Sequence, residues 1–263
     1  MTGVSAWRWL PDAPAGAAWN MAVDTVLLEL AERPTLRLYG WCPGAVSVGR
    51  SQAARLAAGG AWEELARRAG QAGLELVARP TGGGALLHIA EVTYAVVLPV
   101  ALLPGRIAGA FALITGAIRD GLAGIGIELD QVEVAGSSGD AVCLLRAGAG
   151  ELTWRGRKVV AGAQARRGPN LLQHGVIPLH FDAGLHALVL GPLGGGEVVA
   201  AGLDEVAGGA APAEAGVREA LVRGFAERFG VTLVEGALTA AEVEAARRHA
   251  RELVLAPRAA PLR

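Results

Sequence analysis

The chain has 263 residues and a formal net charge of −1, with 52% hydrophobic and 19% charged residues. The near-zero charge, with no basic run longer than a pair, argues against nucleic acid or an anionic membrane surface as the main partner. The longest apolar runs, such as residues 94–99, are too short to cross a bilayer, and residues 1–14 lack the pattern of a secretory signal. We therefore expect a cytoplasmic protein.

The two cysteines, Cys42 and Cys143, are far apart in the sequence and belong to no CxxC pair. This spacing excludes a zinc ribbon and gives no support to a disulfide framework, so we expect no metal site. Each cysteine is therefore either a small buried hydrophobic residue or a reactive thiol.

The hydrophobic pattern alternates between helical and extended periods along the first hundred residues. In chain order it predicts a helix at 14–32, strands at 35–39 and 45–49, a helix at 52–69, and strands at 74–78, 85–88 and 91–99. A glycine-rich loop at 79–84 separates two of these strands.

The second part of the chain has more strands in the middle and helices at the end. It predicts, in order, a helix at 107–122, a strand at 127–134, a loop at 135–140, a strand meander at 141–164 with turns at 147–150 and 155–156, a strand at 171–179, a loop at 184–212, and helices at 214–229 and 240–253. Thr239 followed by Glu242 has the spacing of a capping box for the last helix. Because helices and strands do not alternate strictly, the fold class is α+β, with a mixed or antiparallel sheet flanked by helices.

Lys158 is the only lysine among the 24 lysine and arginine residues of the chain. It lies in the stretch RGRKVVAGAQARRGPNLLQHG at 155–175. A lysine ammonium is compact and can change its protonation state, whereas arginine is a rigid fork that stays protonated. The lone lysine therefore predicts a functional ammonium, and a leftover surface lysine in an arginine-rich composition is the alternative.

The segment RPTGGG at 79–84 follows a predicted strand. Three successive glycines let backbone N–H groups approach a ligand and form a nest that binds anions or carbonyl groups. No Gly-Lys-Ser/Thr follows, so the segment is not a P-loop, and a strand comes next, so it is not a dinucleotide fingerprint. An ordinary glycine-rich turn is the alternative, and His88 is either a polar group of the same site or a structural histidine.

Cys143 precedes Lys158 in the predicted meander. A nearby ammonium would lower the pKa of a thiol by stabilising the thiolate, but the spacing permits contact without requiring it. A buried structural cysteine is the alternative. Further along, Gln164 and the pair Gln173 and His174 offer hydrogen bonds to an acyl carbonyl or to a partner, although each is a weak signal alone.

Together, RPTGGGALLH at 79–88 with EVTY at 91–94, Cys143, GRKVVAGAQARR at 156–167 and LLQHG at 171–175 resemble the lipoate–protein ligase/octanoyltransferase superfamily, which shares its catalytic domain with biotin protein ligases. LRLYGW at 36–41 and the segment 224–246 extend the resemblance over nearly the whole chain. It implies one α+β catalytic domain over 1–263, with a core at about 33–230 and C-terminal helices at about 213–253, of the type shared with biotin ligases and class II synthetases.

A cysteine ahead of the GRKVVAGAQ stretch is similar to the Cys-dependent octanoyltransferases of Bacillus-like bacteria. The resemblance implies that Cys143 carries an acyl thioester and that Lys158 lowers the pKa of its thiol. The implied donor is octanoyl–acyl carrier protein, and the implied acceptor is a lysine of a lipoyl-domain protein such as the glycine-cleavage H protein. No cofactor is implied. The implied substrate-binding residues are Arg79, Thr81, Gly82, Gly83, Gly84, His88, Gln164 and His174.

The chain departs from the family pattern at four positions near these motifs. An arginine is usual at the positions of Ala78 and Gly84, an acidic residue at Ile89, and an aromatic residue at Leu144. The usual Lys- and Tyr-rich ending is also missing. These departures leave Cys143 in place and bear on substrate and partner specificity.

Four alternative functions stay open. An ATP-dependent lipoate–protein ligase using Mg²⁺ shares the glycine-rich loop and the lysine, but basic residues that would bind a triphosphate are missing near the loop. An amidotransferase between two lipoyl domains would use the same thiol chemistry. A biotin ligase is disfavoured because no Gly-Arg-Gly-Arg adenylate loop is present. A non-catalytic relative that binds carriers would have no reason to retain the cysteine and the lysine.

Overall fold

A mixed eight-stranded sheet forms the centre of the fold in a computed structural model, which describes residues 6–105, 107–132, 150–194 and 199–255. In chain order the elements are β1 Ala6–Pro11, α1 Ala17–Leu30, β2 Thr35–Tyr39, β3 Ala45–Gly49, α2 Arg50–Ala58, α3 Ala61–Gln71, β4 Glu75–Arg79, β5 Leu86–His88, β6 Glu91–Pro99, α4 Ile107–Ala123, β7 Asp130–Gln131, β8 Leu152–Trp154, β9 Arg157–Arg167, β10 Asn170–Pro178, α5 Ala183–Leu190, α6 Leu203–Val206, α7 Glu214–Phe229, β11 Thr232–Glu235 and α8 Ala240–Leu255. Short 3₁₀ turns occupy Val100–Leu102 and Gly191–Leu193.

The large sheet has the strand order β11-β1-β2-β6-β10-β9-β8-β7, and a second sheet has the order β4-β3-β5. Strand β1 runs parallel to β2 and β11, whereas the other neighbours in the large sheet are antiparallel. In the small sheet, β3 is parallel to β4 and antiparallel to β5. Both sheets are therefore mixed, and the predicted α+β class with flanking helices is confirmed.

The two faces of the large sheet are covered by different helices. In β6, the side chains of Val92, Tyr94 and Val96 pack with α4 and α7. The intervening Ala95 and Val97 pack with α1 and α8 on the opposite face. This period of two is that of an extended strand, and burial on both faces explains the continuous apolar run at 94–99 in β6.

Several predicted elements need correction. The predicted helix at 52–69 is two helices, α2 and α3, separated at Gly59 and Gly60, where Gly60 has a φ of 72°. The predicted loop at 184–212 is wrong, because it contains α5 and α6. The sequence of α5, AGLHALVL, is apolar on almost all sides, so it shows no amphipathic period.

The strands β1 and β11 were not predicted from the sequence pattern. β11 is at the edge of the large sheet and pairs in parallel with β1, which in turn pairs in parallel with β2. The hairpin turn at 155–156 is confirmed, since Arg155 and Gly156 both have positive φ angles of 51° and 75°. The loop predicted at 135–140 and the turn predicted at 147–150 lie wholly or largely outside the described residues.

No helix within the described ranges is long and apolar enough to cross a bilayer. Of the two cysteines, Cys42 is free and exposed. It is therefore not the small buried hydrophobic residue that most free cysteines are. Cys143 lies outside the described residues.

Candidate functional site

A pocket lies where the small sheet meets the face of the large sheet that carries α1. Its empty space, including the open mouth, is about 280 Å³. Five lining residues have no polar side-chain atom able to form a strong hydrogen bond, namely Met21, Leu86, Ala163, Gly175 and Val176. The other seven are Tyr39, Trp41, Ser47, Arg79, His88, Thr93 and His174.

Arg79 holds the glycine-rich loop against β3. Its Nη2 donates to the carbonyl oxygens of Gly82 and Gly84, each at 2.7 Å, and its Nη1 donates to the Ser47 carbonyl at 3.1 Å. Because the C=O and N–H of a trans peptide point in opposite directions, the Gly83 N–H points away from the guanidinium. A Cβ on Gly49 would lie 2.1 Å from the Gly83 carbonyl oxygen, so only glycine allows this close approach.

His174 links this loop to a buried acidic residue of α1. Its Nε2 lies 2.7 Å from Thr81 Oγ1, and its Nδ1 lies 2.7 Å from Asp24 Oδ2. Asp24 also accepts hydrogen bonds from Arg37 Nη1 and the Tyr39 hydroxyl, both at 2.8 Å. All of these side chains are buried.

The pKa values of this pair indicate which groups carry charge. Burial lowers the pKa of His174 by more than the neighbouring Asp24 carboxylate raises it. Burial raises the pKa of Asp24, but hydrogen bonding from His174 and the charge of Arg37 bring it below its ordinary value. A neutral His174 therefore donates from Nδ1 to ionised Asp24 and accepts the Thr81 hydroxyl proton at Nε2.

His88 forms a second chain of hydrogen bonds beside the first. Its Nε2 lies 2.7 Å from Ser47 Oγ, and its Nδ1 lies 2.8 Å from Glu91 Oε1. Thr93 Oγ1 donates to the same Glu91 oxygen at 2.6 Å and accepts from Trp41 Nε1 at 2.8 Å. The rings of Trp41 and His88 stack with centroids 4.1 Å apart. Arg79 Nη1 also donates to Ser47 Oγ at 3.2 Å, so it joins the two chains.

These contacts make the pocket apolar in effect. Every one of the seven polar side chains that line it has its polar nitrogen or oxygen atoms hydrogen-bonded within the protein. A ligand that needs hydrogen-bond donors, such as an anion, would lose its hydration there without finding a free side-chain donor. A hydrocarbon chain has no such cost.

Lys158 forms a buried ion pair with Glu151, with Nζ 2.7 Å from Oε2 and the two side chains 3% and 8% exposed. A register shift pairs Leu152 with Val160 but Thr153 with Lys158, which leaves Val159 as an extra residue in β9.

The shift determines which face of the sheet Lys158 occupies. Leu152, Val159 and Val160 all pack in the cluster of α4, so Lys158 lies on the opposite face. Ala161 follows on that face and packs with two pocket-lining residues, Leu86 and Val176. The ammonium of Lys158 thus lies on the same side of the sheet as the pocket.

The structure brings together most of the residues that the sequence pointed to. Arg79, His88 and His174 line the pocket, whereas Thr81 and the loop at 82–84 do not line it but are hydrogen-bonded to Arg79 and His174. Their direct contact with a substrate stays a prediction.

Gln164 lies on the other face of the sheet. Its Nε2 donates to Gln173 Oε1 at 2.8 Å, and Gln173 donates to the hydroxyl of Tyr94, which packs with α4. The sheet therefore separates the Gln164 side chain from the pocket. Its role as a substrate-binding residue also stays a prediction.

Sequence reasoning did not single out Asp24, Trp41, Ser47, Glu91 or Glu151 as site residues. Only Glu151 offered a signal, as the acidic residue nearest to the sole lysine in the predicted meander. The others depend on contacts between distant segments. Among the described residues, no group of three or more histidine, cysteine, aspartate or glutamate side chains is arranged to hold a metal ion.

Comparisons with known proteins agree with this geometry. The sequence of residues 16–200 matches the family model of the lipoyl protein ligase A/B catalytic domain. The chain is 36% identical to octanoyltransferase LipM of Kyrpidia tusciae, over 91% of this chain and 93% of the relative. It is 33% identical to octanoyltransferase LipM of Carboxydothermus hydrogenoformans, over 94% of this chain and 95% of the relative.

The fold matches that of a bipartite lipoate protein ligase of Thermoplasma acidophilum, with a TM-score of 0.74 and 20% identity, over 95% of this chain and 93% of the ligase chain. At that identity the likeness concerns the fold alone. The family match and the two octanoyltransferases cover most of the sequence itself. This chain belongs to the lipoyl protein ligase A/B catalytic domain family.

Proposed function

We propose that this chain is an octanoyltransferase of protein lipoylation, an acyltransferase that moves an octanoyl group to a lysine of a lipoyl-domain protein. Relatives that carry this activity in their names align over nine-tenths or more of the chain. Octanoyl–acyl carrier protein as donor, the glycine-cleavage H protein as acceptor and a cytoplasmic location belong to the same proposal. They rest on the motif resemblance.

The observation that carries the proposal is the pocket in which every polar side chain is already hydrogen-bonded within the protein. An octanoyl chain is a saturated hydrocarbon, and each CH₂ group that it buries contributes about 0.8 kcal/mol. Binding would therefore come from the apolar surfaces of residues such as Met21, Leu86 and Val176. The absence of unsatisfied hydrogen-bonding groups disfavours a polar acyl chain.

The proposed chemistry proceeds through Cys143. Its thiolate attacks the carbonyl carbon of the octanoyl thioester, and the carrier thiol leaves, in an exchange between thioesters of similar free energy. The acceptor lysine amine then attacks the enzyme thioester, and formation of the amide makes this step favourable. Lys158 favours the thiolate through its positive charge, and Lys158 or the backbone N–H groups near Gly82 to Gly84 stabilise the oxyanion.

Glu151 supports this reading because it fixes Lys158 in place. An ion pair compensates for the burial of both charged groups, which keeps an ammonium on the pocket side of the sheet. The transfer requires neither ATP nor a metal ion, because the energy of the donor thioester is retained in the enzyme thioester.

The test is the intact mass of the protein after mixing with octanoyl–acyl carrier protein without ATP, beside a Cys143→Ser variant. We expect an octanoyl adduct that hydroxylamine removes in the native protein and that is absent, or persists as a stable ester, in the variant. Addition of a lipoyl domain should then transfer the octanoyl group to that domain.

Three other results would replace this proposal. Modification of a lipoyl domain by lipoate only with ATP and Mg²⁺ would identify a ligase. Formation of the adduct from an octanoylated lipoyl domain, but not from the carrier protein, would identify an amidotransferase. Absence of transfer under all conditions would indicate a carrier-binding protein.

A further inference from the structure

Ser47, His88 and Glu91 form a hydroxyl–imidazole–carboxylate chain in the pocket wall. Ser47 Oγ lies 2.7 Å from His88 Nε2, and His88 Nδ1 lies 2.8 Å from Glu91 Oε1. The three residues are 1%, 3% and 7% exposed. These are the order of groups and the distances of a serine nucleophile, its general base and the carboxylate that orients the base.

The carboxylate end of this chain is held firmly. Glu91 Oε1 also accepts the Thr93 hydroxyl at 2.6 Å, and Trp41 stacks on the His88 ring. With Nδ1 donating to Glu91, the neutral imidazole has its lone pair on Nε2, facing Ser47 Oγ. His88 is therefore oriented to take the Ser47 proton.

The groups needed for an oxyanion lie next to Ser47. The Arg79 guanidinium donates both to Ser47 Oγ and to the Gly82 carbonyl, so the serine and the glycine-rich loop meet at the same side chain. Arg79 also lines the pocket, so its guanidinium is the positively charged donor nearest to an oxyanion formed at Ser47. A nucleophile, a base, an orienting carboxylate and a cationic donor are thus assembled at one pocket.

A second chain of the same type is less suited to reaction. Thr81, His174 and Asp24 have the same order of groups at 2.7 Å spacings. Thr81, however, is not among the residues that line the pocket, whereas Ser47 and His88 both are. Of the two hydroxyl groups, only that of Ser47 therefore belongs to a residue that a ligand in the pocket would contact.

We propose that Ser47 is a second acyl-accepting nucleophile, which gives this protein an esterase and thioesterase activity toward medium-chain acyl groups that is independent of Cys143. The Ser47 oxygen bonds to the acyl carbon as its proton passes to His88 Nε2. The bond to the leaving sulfur or oxygen breaks, and the leaving group takes that proton. Water then attacks the serine ester and gives a proton to His88, Ser47 Oγ leaves and recovers it, and the fatty acid is released.

This activity would remove acyl groups that fail to reach an acceptor lysine. Its substrates share the saturated chain that the apolar pocket accommodates, and differ only in the leaving group. None of Ser47, His88 and Glu91 contacts Cys143 in the mechanism, so the activity at Ser47 is independent of a thioester at Cys143.

The experiment uses the full chain without its two thiols, as a Cys42→Ala, Cys143→Ala variant. Hydrolysis of 4-nitrophenyl octanoate and covalent labelling by a fluorophosphonate probe are measured, with peptide mapping of the label. We expect hydrolysis above the buffer rate and a label on Ser47. Adding Ser47→Ala should lower the rate at least tenfold and abolish the label, and adding His88→Gln should lower the rate about 100-fold. The matched control is Ser51→Ala, which removes an exposed serine on α2.

Labelling by the fluorophosphonate probe is measured on the cysteine-free protein, in which the pocket residues are unchanged. It therefore tests the proposal even if the Ser47→Ala variant fails to fold. A label on another residue, no label at all, or hydrolysis that survives Ser47→Ala in a folded variant would overturn the proposal. Circular dichroism establishes the folding of each variant.

Discussion

The ammonium nitrogen of Lys158 lies 2.7 Å from a carboxylate oxygen of Glu151, and only 3% and 8% of the two side chains are exposed. Removing one partner of a buried ion pair leaves an uncompensated charge. We therefore expect Glu151→Gln to lower the free energy of unfolding by about 3 kcal/mol. Urea denaturation measures the change.

The exposed pair of Arg67 and Glu64 on α3 supplies the matched control, with the same N–O distance of 2.7 Å. Glu64→Gln should lower the free energy of unfolding much less, because water screens an exposed pair. Equal effects of the two substitutions would contradict the importance of burial for the Lys158 pair.

The charge of Lys158 should be measurable at Cys143. In a Cys42→Ala background, Lys158→Met should slow alkylation of the remaining thiol at pH 7 about tenfold, because the thiol pKa would move toward its ordinary value. Lys158→Arg keeps the charge and should give an intermediate rate. Identical rates in all three proteins would show that Cys143 and Lys158 do not interact.

The close approach of β3 to the glycine-rich loop predicts that Gly49→Ala is harmful. The new Cβ would lie 2.1 Å from the Gly83 carbonyl oxygen, so the loop has to move. We expect a lower melting temperature and at least a tenfold loss of octanoyl transfer, in line with the effect of a misplaced site. Gly216→Ala in α7, where no atom lies within 4 Å of the new Cβ, should instead stabilise by about 0.5–1 kcal/mol.

Filling the pocket should change the preferred acyl chain. Ala163 lines the pocket, and Ala163→Leu adds three carbon atoms to its wall. We expect transfer from octanoyl donors to fall and transfer from butanoyl or hexanoyl donors to be retained, so that competition between donors shifts toward the shorter chains. Ala58→Leu, at an exposed position of α2, should leave the ratio unchanged. An unchanged ratio in Ala163→Leu would place the acyl chain elsewhere.

His186 should make the protein less stable in mild acid. Burial lowers the pKa of His186 from 6.5 to about 4, and its ring packs against Phe181. Because the pKa of His186 is lower in the folded state than in the unfolded state, the unfolded state binds the proton first as the pH falls. The stability that depends on a neutral, buried His186 is therefore fully present above pH 6.5 and is lost progressively as the pH falls toward 4. The loss at pH 5 is about 2 kcal/mol.

His186→Leu removes that contribution. The difference in the free energy of unfolding between pH 7 and pH 5 should therefore be smaller by about 2 kcal/mol in the variant than in the native protein. Urea titrations at the two pH values measure it. The same pH dependence in both proteins would assign the acid sensitivity to other groups, of which His174, also with a lowered pKa, is the first candidate.

Local sequence predicted much of the secondary structure. The capping box at the start of α8 is present, since Thr239 N donates to Glu242 Oε2 at 2.7 Å and Glu242 N donates to Thr239 Oγ1 at 3.2 Å. Strands such as β2, β3 and β10 follow their apolar patterns closely. These features involve neighbours in the chain, and so their signals lie within a few residues.

The site residues that were missed depend on long-range contacts. Asp24 and His174 are separated by 150 positions, and Ser47 and His88 by 41, so no local pattern pairs them. The face occupied by Lys158 depends on one extra residue in β9, which reverses the alternation of side chains along the strand. A sequence pattern read with a strict period of two would place Lys158 on the wrong side of the sheet.

The sequence by itself determined the α+β class, most helices and strands, and the residue types of an acyl-transfer site, because periodicity, turns and residue chemistry are local properties. Only the tertiary structure decided that every polar side chain of the pocket is hydrogen-bonded within the protein, that Glu151 holds Lys158, and that Gln164 lies behind the sheet. Hydrogen-bond partners and sheet faces are set by the register and packing of distant strands, and these are properties of the assembled chain.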